Sequence, residues 1–405
     1  MTAPTWYGRI LALILAGILC PSNPRSSAAE PRTGKLRFEK HKLIESFNEG
    51  LAVADVNRDG RLDIIAGPDW FEAPTWKQHP LREVKIAEQE FFENNGDHAT
   101  DLNGDGWVDV ISGSWFSDKV FWYENPGQAG LAAGKKWQQR LIVTGQYSCE
   151  GSLLEDLDGD GTPEVIFNSW DKDRPLVVVR IKLGRAGRLP SFEAVEPGRP
   201  GYGHGMGVGD INGDKRPDIM VAPGWYEAPA GNWFAVKWTF HKAFDLHHLS
   251  LPCLIVDVNR DGKNDIIVGQ AHGYGLWWLE QGPAAGGEIT WSTHEIDKSF
   301  SQAHCLAWAD LDGDGWKELI TGKRWRAHRG RDPGGSEPVC LFRYVWNTST
   351  GKFDKDVISY DEGIGTGMQI RVVDLDGDKR LDIAVAGKSG TYVLLNRGAT
   401  GGSEK

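Results

Sequence analysis

The stretch Asp101-Leu102-Asn103-Gly104-Asp105-Gly106-Trp107-Val108-Asp109 runs straight into Val110-Ile111-Ser112. Oxygen-bearing side chains stand at positions 1, 3, 5 and 9 of the first nine residues, with glycine at position 6. Asp, Asn and Gly in such an order make tight turns, and the apolar run behind them reads as a short strand. The pattern D-x-[DN]-x-D-[GK]-x-x-[DE] recurs seven times, starting at Asp55, Asp101, Asp156, Asp210, Asp257, Asp310 and Asp374. The spacings are 46, 55, 54, 47, 53 and 64 residues. A repeat of that period points to one domain of repeated units, not the two or three domains that 405 residues would otherwise suggest.

Each acidic loop lies between two apolar strands, such as Leu51-Ala52-Val53-Ala54 before it and Ile64-Ile65-Ala66 after it. A third, often aromatic strand follows (Phe121-Trp122-Tyr123, Trp225-Tyr226-Glu227). A fourth begins near an aromatic residue in six repeats: Trp76, Trp137, Phe192, Trp238, Trp291 and Phe353. Four strands, A to D from the axis outward, in seven repeats predict an all-β, seven-bladed propeller. Only two strands follow the seventh loop. The missing outer strand is found at the front, where Phe38-Glu39-Lys40-His41-Lys42-Leu43 resembles Trp76-Lys77-Gln78-His79-Pro80-Leu81. The N-terminal strand is therefore expected to complete the last blade and close the ring. The propeller is assigned to residues 30–397 and a disordered tail to 398–405.

Arg9 precedes the apolar run Ile10 to Leu19, and Ser27-Ala28-Ala29 offers a cleavage point before Glu30. Residues 1–29 thus read as a signal peptide, and the chain as secreted or periplasmic, with no membrane segment after cleavage. Cys20 follows Leu19 where a lipoprotein signal usually has a small residue, which argues against a lipid anchor. Cys149, Cys253, Cys305 and Cys340 are too few for a disulfide scaffold; Cys253–Cys305 is a candidate bridge between neighbouring blades. A net charge of -11 argues against a nucleic-acid partner.

The loops suit calcium, which takes six to eight oxygen ligands. The candidate side-chain ligands are Asp55, Asn57, Asp59 and Asp63 in blade 1; Asp101, Asn103, Asp105 and Asp109 in blade 2; Asp156, Asp158, Asp160 and Glu164 in blade 3. Blade 4 supplies Asp210, Asn212, Asp214 and Asp218; blade 5 Asp257, Asn259, Asp261 and Asp265; blade 6 Asp310, Asp312, Asp314 and Glu318; blade 7 Asp374, Asp376, Asp378 and Asp382. Empty, these carboxylates repel one another. Lys215 and Lys379 replace glycine at position 6, so blades 4 and 7 are expected to have looser loops. Strands flank the loops and no glutamate stands at position 12, so they are not EF-hands.

This repeat resembles the FG-GAP and VCBS families of extracellular propellers, over residues 36 to 396. Within them, His204-Gly205-Met206-Gly207-Val208-Gly209-Asp210 and the segments Trp70-Phe71-Glu72-Ala73-Pro74, Trp122-Tyr123-Glu124-Asn125-Pro126 and Trp225-Tyr226-Glu227-Ala228-Pro229 are similar to the propeller of aldos-2-ulose dehydratase. That resemblance implies action on keto-sugars; more distantly, the architecture is similar to propeller-type polysaccharide lyases. The chain has no room for the cupin-like part of the full dehydratase.

The calcium loops join strands A and B, so the entries to strand A and the B–C loops form the opposite face. Six residues before each first Asp stand Glu49, Asn95, Glu150, His204, Leu251, His304 and Met368. Asp97, His98, His247 and His248 are close in sequence to the same rim. Converging His and Glu suit a second metal, such as zinc, or acid–base chemistry; they equally suit a polar, water-filled channel. Trp70, Trp115, Trp170, Trp225 and Trp325 fall at matching places in the B–C loops, as a sugar platform or as wedges between blades. The long blade-6 insertion carries Lys323, Arg324, Arg326, His328, Arg329 and Arg331, which would favour an acidic substrate.

The candidate activity is a carbohydrate lyase or dehydratase working by β-elimination on a keto-sugar or uronate. His204 or His304 would be the base, Glu150 a partner, and Arg324 or a rim metal the stabiliser of the enolate. The alternative is a non-catalytic glycan- or protein-binding module.

Overall fold

The computed structural model describes residues 34–145, 149–167, 169–170, 174–185, 188–201, 203–284 and 286–399. The expected signal peptide and residues 400–405 of the expected tail lie outside them. The chain forms seven four-stranded antiparallel sheets, each with strands A to D in order. Blade 1 consists of Ala52–Ala54, Asp63–Ala66, Asp69–Glu72 and Lys77–Pro80. In blade 7, strands A to C are Ile370–Val373, Asp382–Gly387 and Gly390–Ala399, and strand D is the N-terminal Leu36–Ile44. Phe38 pairs with Asn396 and His41 with Val393. This covers an edge that would otherwise stay open to other chains. Strand C runs on to Ala399, two residues into the segment read as a tail.

Side chains of successive strand residues point to opposite faces, and here both faces are buried. Ile64 packs with Ala384, Val393 and Leu395 of blade 7. Its neighbour Ile65 packs with Val110 and Tyr123 of blade 2. That is why the B strands read as continuous apolar runs. The core is thus a set of seams between blades, such as Ile267 and Trp278 against Leu319 and Phe342.

Three elements among the described residues escaped the sequence reading, one of them a short 3-10 turn, Ala327–Gly330, in the blade-6 insertion. A small hairpin, Ile86–Ala87 with Phe91–Phe92, lies between blades 1 and 2. A helix, Gly127–Ala132, joins strands C and D of blade 2. Cys149, Cys253, Cys305 and Cys340 are all free and buried, so the candidate Cys253–Cys305 bridge is not formed.

Candidate functional site

The acidic loops share one hydrogen-bond scheme. In blade 2, Asp101 accepts from the N–H groups of Gly104 and Gly106, each at 2.8 Å. Asn103 accepts from Asp105 N–H at 3.0 Å, and Asp105 from Trp107 N–H at 2.8 Å. The ninth-position carboxylate, Asp109, reaches inward to Leu102 N–H and Asn125 N–H. This carboxylate is buried in all seven loops. Burial pushes Asp63, Asp109, Glu164 and Asp218 up to about 7, Glu318 to about 8, and Asp265 and Asp382 to about 6. A nearby cation would relieve that strain. The oxygens of Asp310, Asp312, Asp314 and Glu318 lie within 4.8 Å of one another, as do those of Asp156, Asp158 and Glu164, and of Asp374, Asp376 and Asp382. Glu318 Oε1 is buried without a hydrogen-bond partner. An all-oxygen donor set with an unmatched carboxylate oxygen fits calcium.

Lys215 and Lys379 do not loosen their loops. They adopt φ of 70° and 71°, in the left-handed region used by Gly106 at 85°. Their N–H groups reach Asp210 and Asp374 at 2.8 and 2.9 Å. The loops differ instead at position 7. Arg61, Arg216, Lys263 and Arg380 pair with the fifth-position Asp59, Asp214, Asp261 and Asp378, whereas blades 2, 3 and 6 have Trp107, Thr162 and Trp316 there.

On the opposite face, Glu150, His204, His272 and His304 have donor atoms within 4.8 Å of one another. His204 Nε2 lies 2.5 Å from Glu150 Oε2, and His272 Nε2 lies 3.9 Å from the same oxygen. Both rings are held from behind through Nδ1, His204 by the Leu249 carbonyl at 2.5 Å and His272 by Asp332 at 2.8 Å. Asp332 also holds His328 Nδ1 at 2.8 Å. His204 Nε2 is buried with no hydrogen-bond partner despite its proximity to Glu150. Two imidazoles and one carboxylate, each backed by a second group, are the kind of donor set that suits a divalent transition metal.

His304 has a different role. Its Nε2 lies 2.7 Å from Arg324 Nη1 and accepts from it, while its Nδ1 has no partner. Burial, then the Arg324 charge, holds its pKa well below the usual imidazole range, so the ring is neutral. Arg324 donates Nε and Nη2 to the two oxygens of Glu49 at 2.6 and 3.0 Å, and Nη1 to Glu150 Oε1 at 2.5 Å. Burial alone would raise the Glu150 carboxyl; the His204 charge and then Arg324 overcome it and hold it well below the ordinary range.

The four residues expected to be catalytic, His204, His304, Glu150 and Arg324, therefore meet. His304 is sealed in, with 0% exposure, and does not face substrate directly, whereas Arg324, with 3%, lines the cavity beside Glu150 with its N–H groups already taken by Glu49 and Glu150. His272 was missed. It stands seven residues after Asp265, the offset of Trp70 from Asp63 and Trp225 from Asp218, so repeat alignment could have found it. Asp97 and His98 leave the rim group: Asp97 is buried against Arg82 at 2.7 Å, and His98 bonds Ser152 at 2.9 Å with its pKa lowered to about 3 by burial.

The tryptophans divide. Trp70 and Trp225 are buried in strand C, stacked on His79 and His241 at 4.4 and 4.1 Å, with no face for a sugar. Trp115 and Trp170 line the cavity at Glu150 and His204. Trp325 is half-buried beside Arg326. Lys323 is buried and bonds Ser301 at 2.8 Å; Arg326 pairs with Glu90 of the extra hairpin at 3.0 Å. Neither is open to an acidic substrate.

A model of the FG-GAP-like repeat matches residues 101–167, 156–221 and 257–321. The chain is a seven-bladed β-propeller, and its residues 101–221 and 257–321 carry FG-GAP-like repeats. No curated protein matches it in sequence. Among solved structures it is similar to a catalytically inactive virginiamycin B lyase from Staphylococcus aureus with quinupristin. That likeness has 12% identity and a TM-score of 0.52, covering 89% of this chain and 99% of the other. It is also similar to BBS1N in complex with ARL6DN, with 10% identity and a TM-score of 0.49, covering 90% of this chain and 97% of the other. At these identities the likeness concerns the fold alone.

Proposed function

We propose that this protein is an exported, calcium-stabilised propeller that acts on carbohydrate as a lyase or dehydratase, by metal-assisted β-elimination at the channel mouth. The observation that carries this reading is the convergence of His204 Nε2 and His272 Nε2 on Glu150, each ring pinned through its Nδ1. Glu150, His204 and His272 would hold a divalent ion such as zinc. That ion would polarise the carbonyl or carboxylate oxygen next to the carbon that loses its proton. Arg324 keeps Glu150 ionised and in place.

His248 would take the proton. It is half-buried, lines the cavity beside His204 and lies 5.2 Å from the Trp170 ring between centroids. Burial, then the neighbouring His272 and His204, lowers its pKa, which favours the neutral form a base needs. The proton leaves the carbon beside the carbonyl, the C–O bond one carbon further on breaks, a C=C bond forms, and the leaving oxygen is protonated. The virginiamycin B lyase is a precedent for lyase activity on a propeller.

The test combines metal analysis by mass spectrometry with turnover assays on keto-sugars and uronate oligosaccharides, following absorbance of the new C=C bond. A transition metal retained beside calcium, with both metal and turnover lost in a His204→Ala, His272→Ala variant, is the expected result. Full turnover in that variant overturns the assignment. Glycan binding without turnover or transition metal would instead leave a calcium-dependent binding module.

A further inference from the structure

Three cavities at the channel mouth join into one groove. The first, of about 320 Å³, is lined by Trp170, His204, Pro223, Leu246 and His248. A narrow neck lined by Trp115, Glu150, Trp170 and His204 leads on from it. The third, of about 130 Å³, is lined by Trp115, Phe116, Glu150, Arg329 and Arg331. Trp170 and His204 belong to both the first cavity and the neck; Trp115 and Glu150 belong to both the neck and the third. Glu150 therefore lies along the groove and not at either end. The first cavity by itself has the size that holds a small ligand, so the extension past Glu150 exceeds what a monosaccharide needs.

The two ends differ in chemistry. At the first, Trp170 is 44% exposed, a large ring left in water beside Pro223 and Leu246. Such a face suits the apolar side of a pyranose ring. Asp245, exposed at the same end, disfavours an anion there. At the other end Arg324 is saturated by Glu49 and Glu150, and Arg329 pairs with Glu88 at 3.1 Å. Arg331 is exposed and has no carboxylate partner among the described residues; its Nε donates to the His328 carbonyl at 3.1 Å. Its remaining guanidinium N–H groups are available to a carboxylate.

We propose that the groove binds an acidic oligosaccharide lengthwise, with one pyranose ring on Trp170 and the carboxylate of a neighbouring uronate on Arg331, so that the linkage between them lies at Glu150. This rests on the lyase reading and deepens it, selecting a chain over a free keto-sugar. The probes are uronate tetrasaccharides of differing epimer and linkage, their carboxyl-reduced counterparts and the free uronic acids, measured by titration calorimetry. At least one acidic tetrasaccharide should bind about tenfold or more tighter than its reduced form and than its monosaccharide. Arg331→Ala should erase the acid-over-neutral ratio and Arg331→Lys restore part of it. Trp170→Ala should weaken both forms by a similar factor. The proposal is overturned if no acidic form is preferred, if the ratio survives Arg331→Ala, or if a monosaccharide binds as tightly as every tetrasaccharide. Binding of this pattern with no unsaturated product would sink the lyase reading and leave the groove. Turnover of a keto-sugar without oligosaccharide binding would do the reverse.

Discussion

Replacing Arg324 with methionine would take the main cationic partner from buried Glu49 and one of two from partly buried Glu150. The guanidinium is 3% exposed and bonds both oxygens of Glu49 and one of Glu150. Burial alone raises the Glu49 carboxyl; the Arg324 charge, then that of Lys388, overcomes it and holds it below the ordinary range. Glu150 is likewise depressed, with the His204 charge acting ahead of Arg324 against burial. Removing one partner from a buried ion pair costs about 3–5 kcal/mol, because the other charge stays desolvated. The variant should lose about that much unfolding free energy at pH 7. In the wild type both folded-state pKa values lie below the unfolded value of about 4.3. Their contribution is therefore fully present above pH of about 4.3 and is lost as pH falls through the folded values. In the variant, Lys388 still faces Glu49 and His204 still faces Glu150, but loss of the Arg324 charge lets burial shift both carboxyls upward, so the stability gap should narrow between pH 7 and pH 5 as they take up protons. Urea unfolding of both proteins at the two pH values, followed by tryptophan fluorescence in calcium buffer, measures the gap. A gap under about 1 kcal/mol at pH 7, well short of the cost of a broken buried pair, or one that widens at pH 5, refutes the reasoning.

Chelation with EGTA should lower the thermal midpoint and speed proteolysis, with calcium restoring both and magnesium restoring less; an unmoved midpoint would remove calcium from the account. Asp332→Asn weakens the group that orients His272 and should reduce divalent affinity by about 10–100-fold with the fold intact. Competition with a chromophoric chelator reads this, and a change within about twofold, far below what a lost supporting group costs, would count against it. Asp297 accepts from Tyr344 Oη at 2.6 Å and Lys355 Nζ at 2.8 Å across the seam between blades 5 and 6. Burial opposes ionisation there, but Lys355 and then Tyr344 lower its pKa. Asp297→Asn should therefore cost about 1–3 kcal/mol above the unfolded pKa of about 3.9, and progressively less as pH falls through the folded value. Equal losses at pH 7 and pH 3 in urea titrations would contradict that linkage.

Some of this protein was legible because its physics is local. A loop such as Asp101 to Asp109 closes its own hydrogen bonds within nine residues, so its chemistry is written in adjacent letters. The strand alternation beside it, and the count of outer strands that calls on Phe38 to close the ring, follow from the same repeats. His272 was hidden by a change of residue type, not of position, since it stands where other blades carry tryptophan. Trp70 falls inside strand C and is buried against His79, whereas Trp170, six residues after Glu164 and not seven, stands in the loop before strand C and is exposed, a difference of one position that the repeat pattern does not interpret. Arg324 reads in sequence as an open cation. Closing the ring brings it to Glu49 and Glu150, 275 and 174 residues away. The sequence by itself thus determined the repeat, the loops and the closure, each settled by neighbours along the chain. Only the tertiary structure decided which charges are spent on one another and which face the groove, because that depends on residues from distant blades meeting around a shared axis.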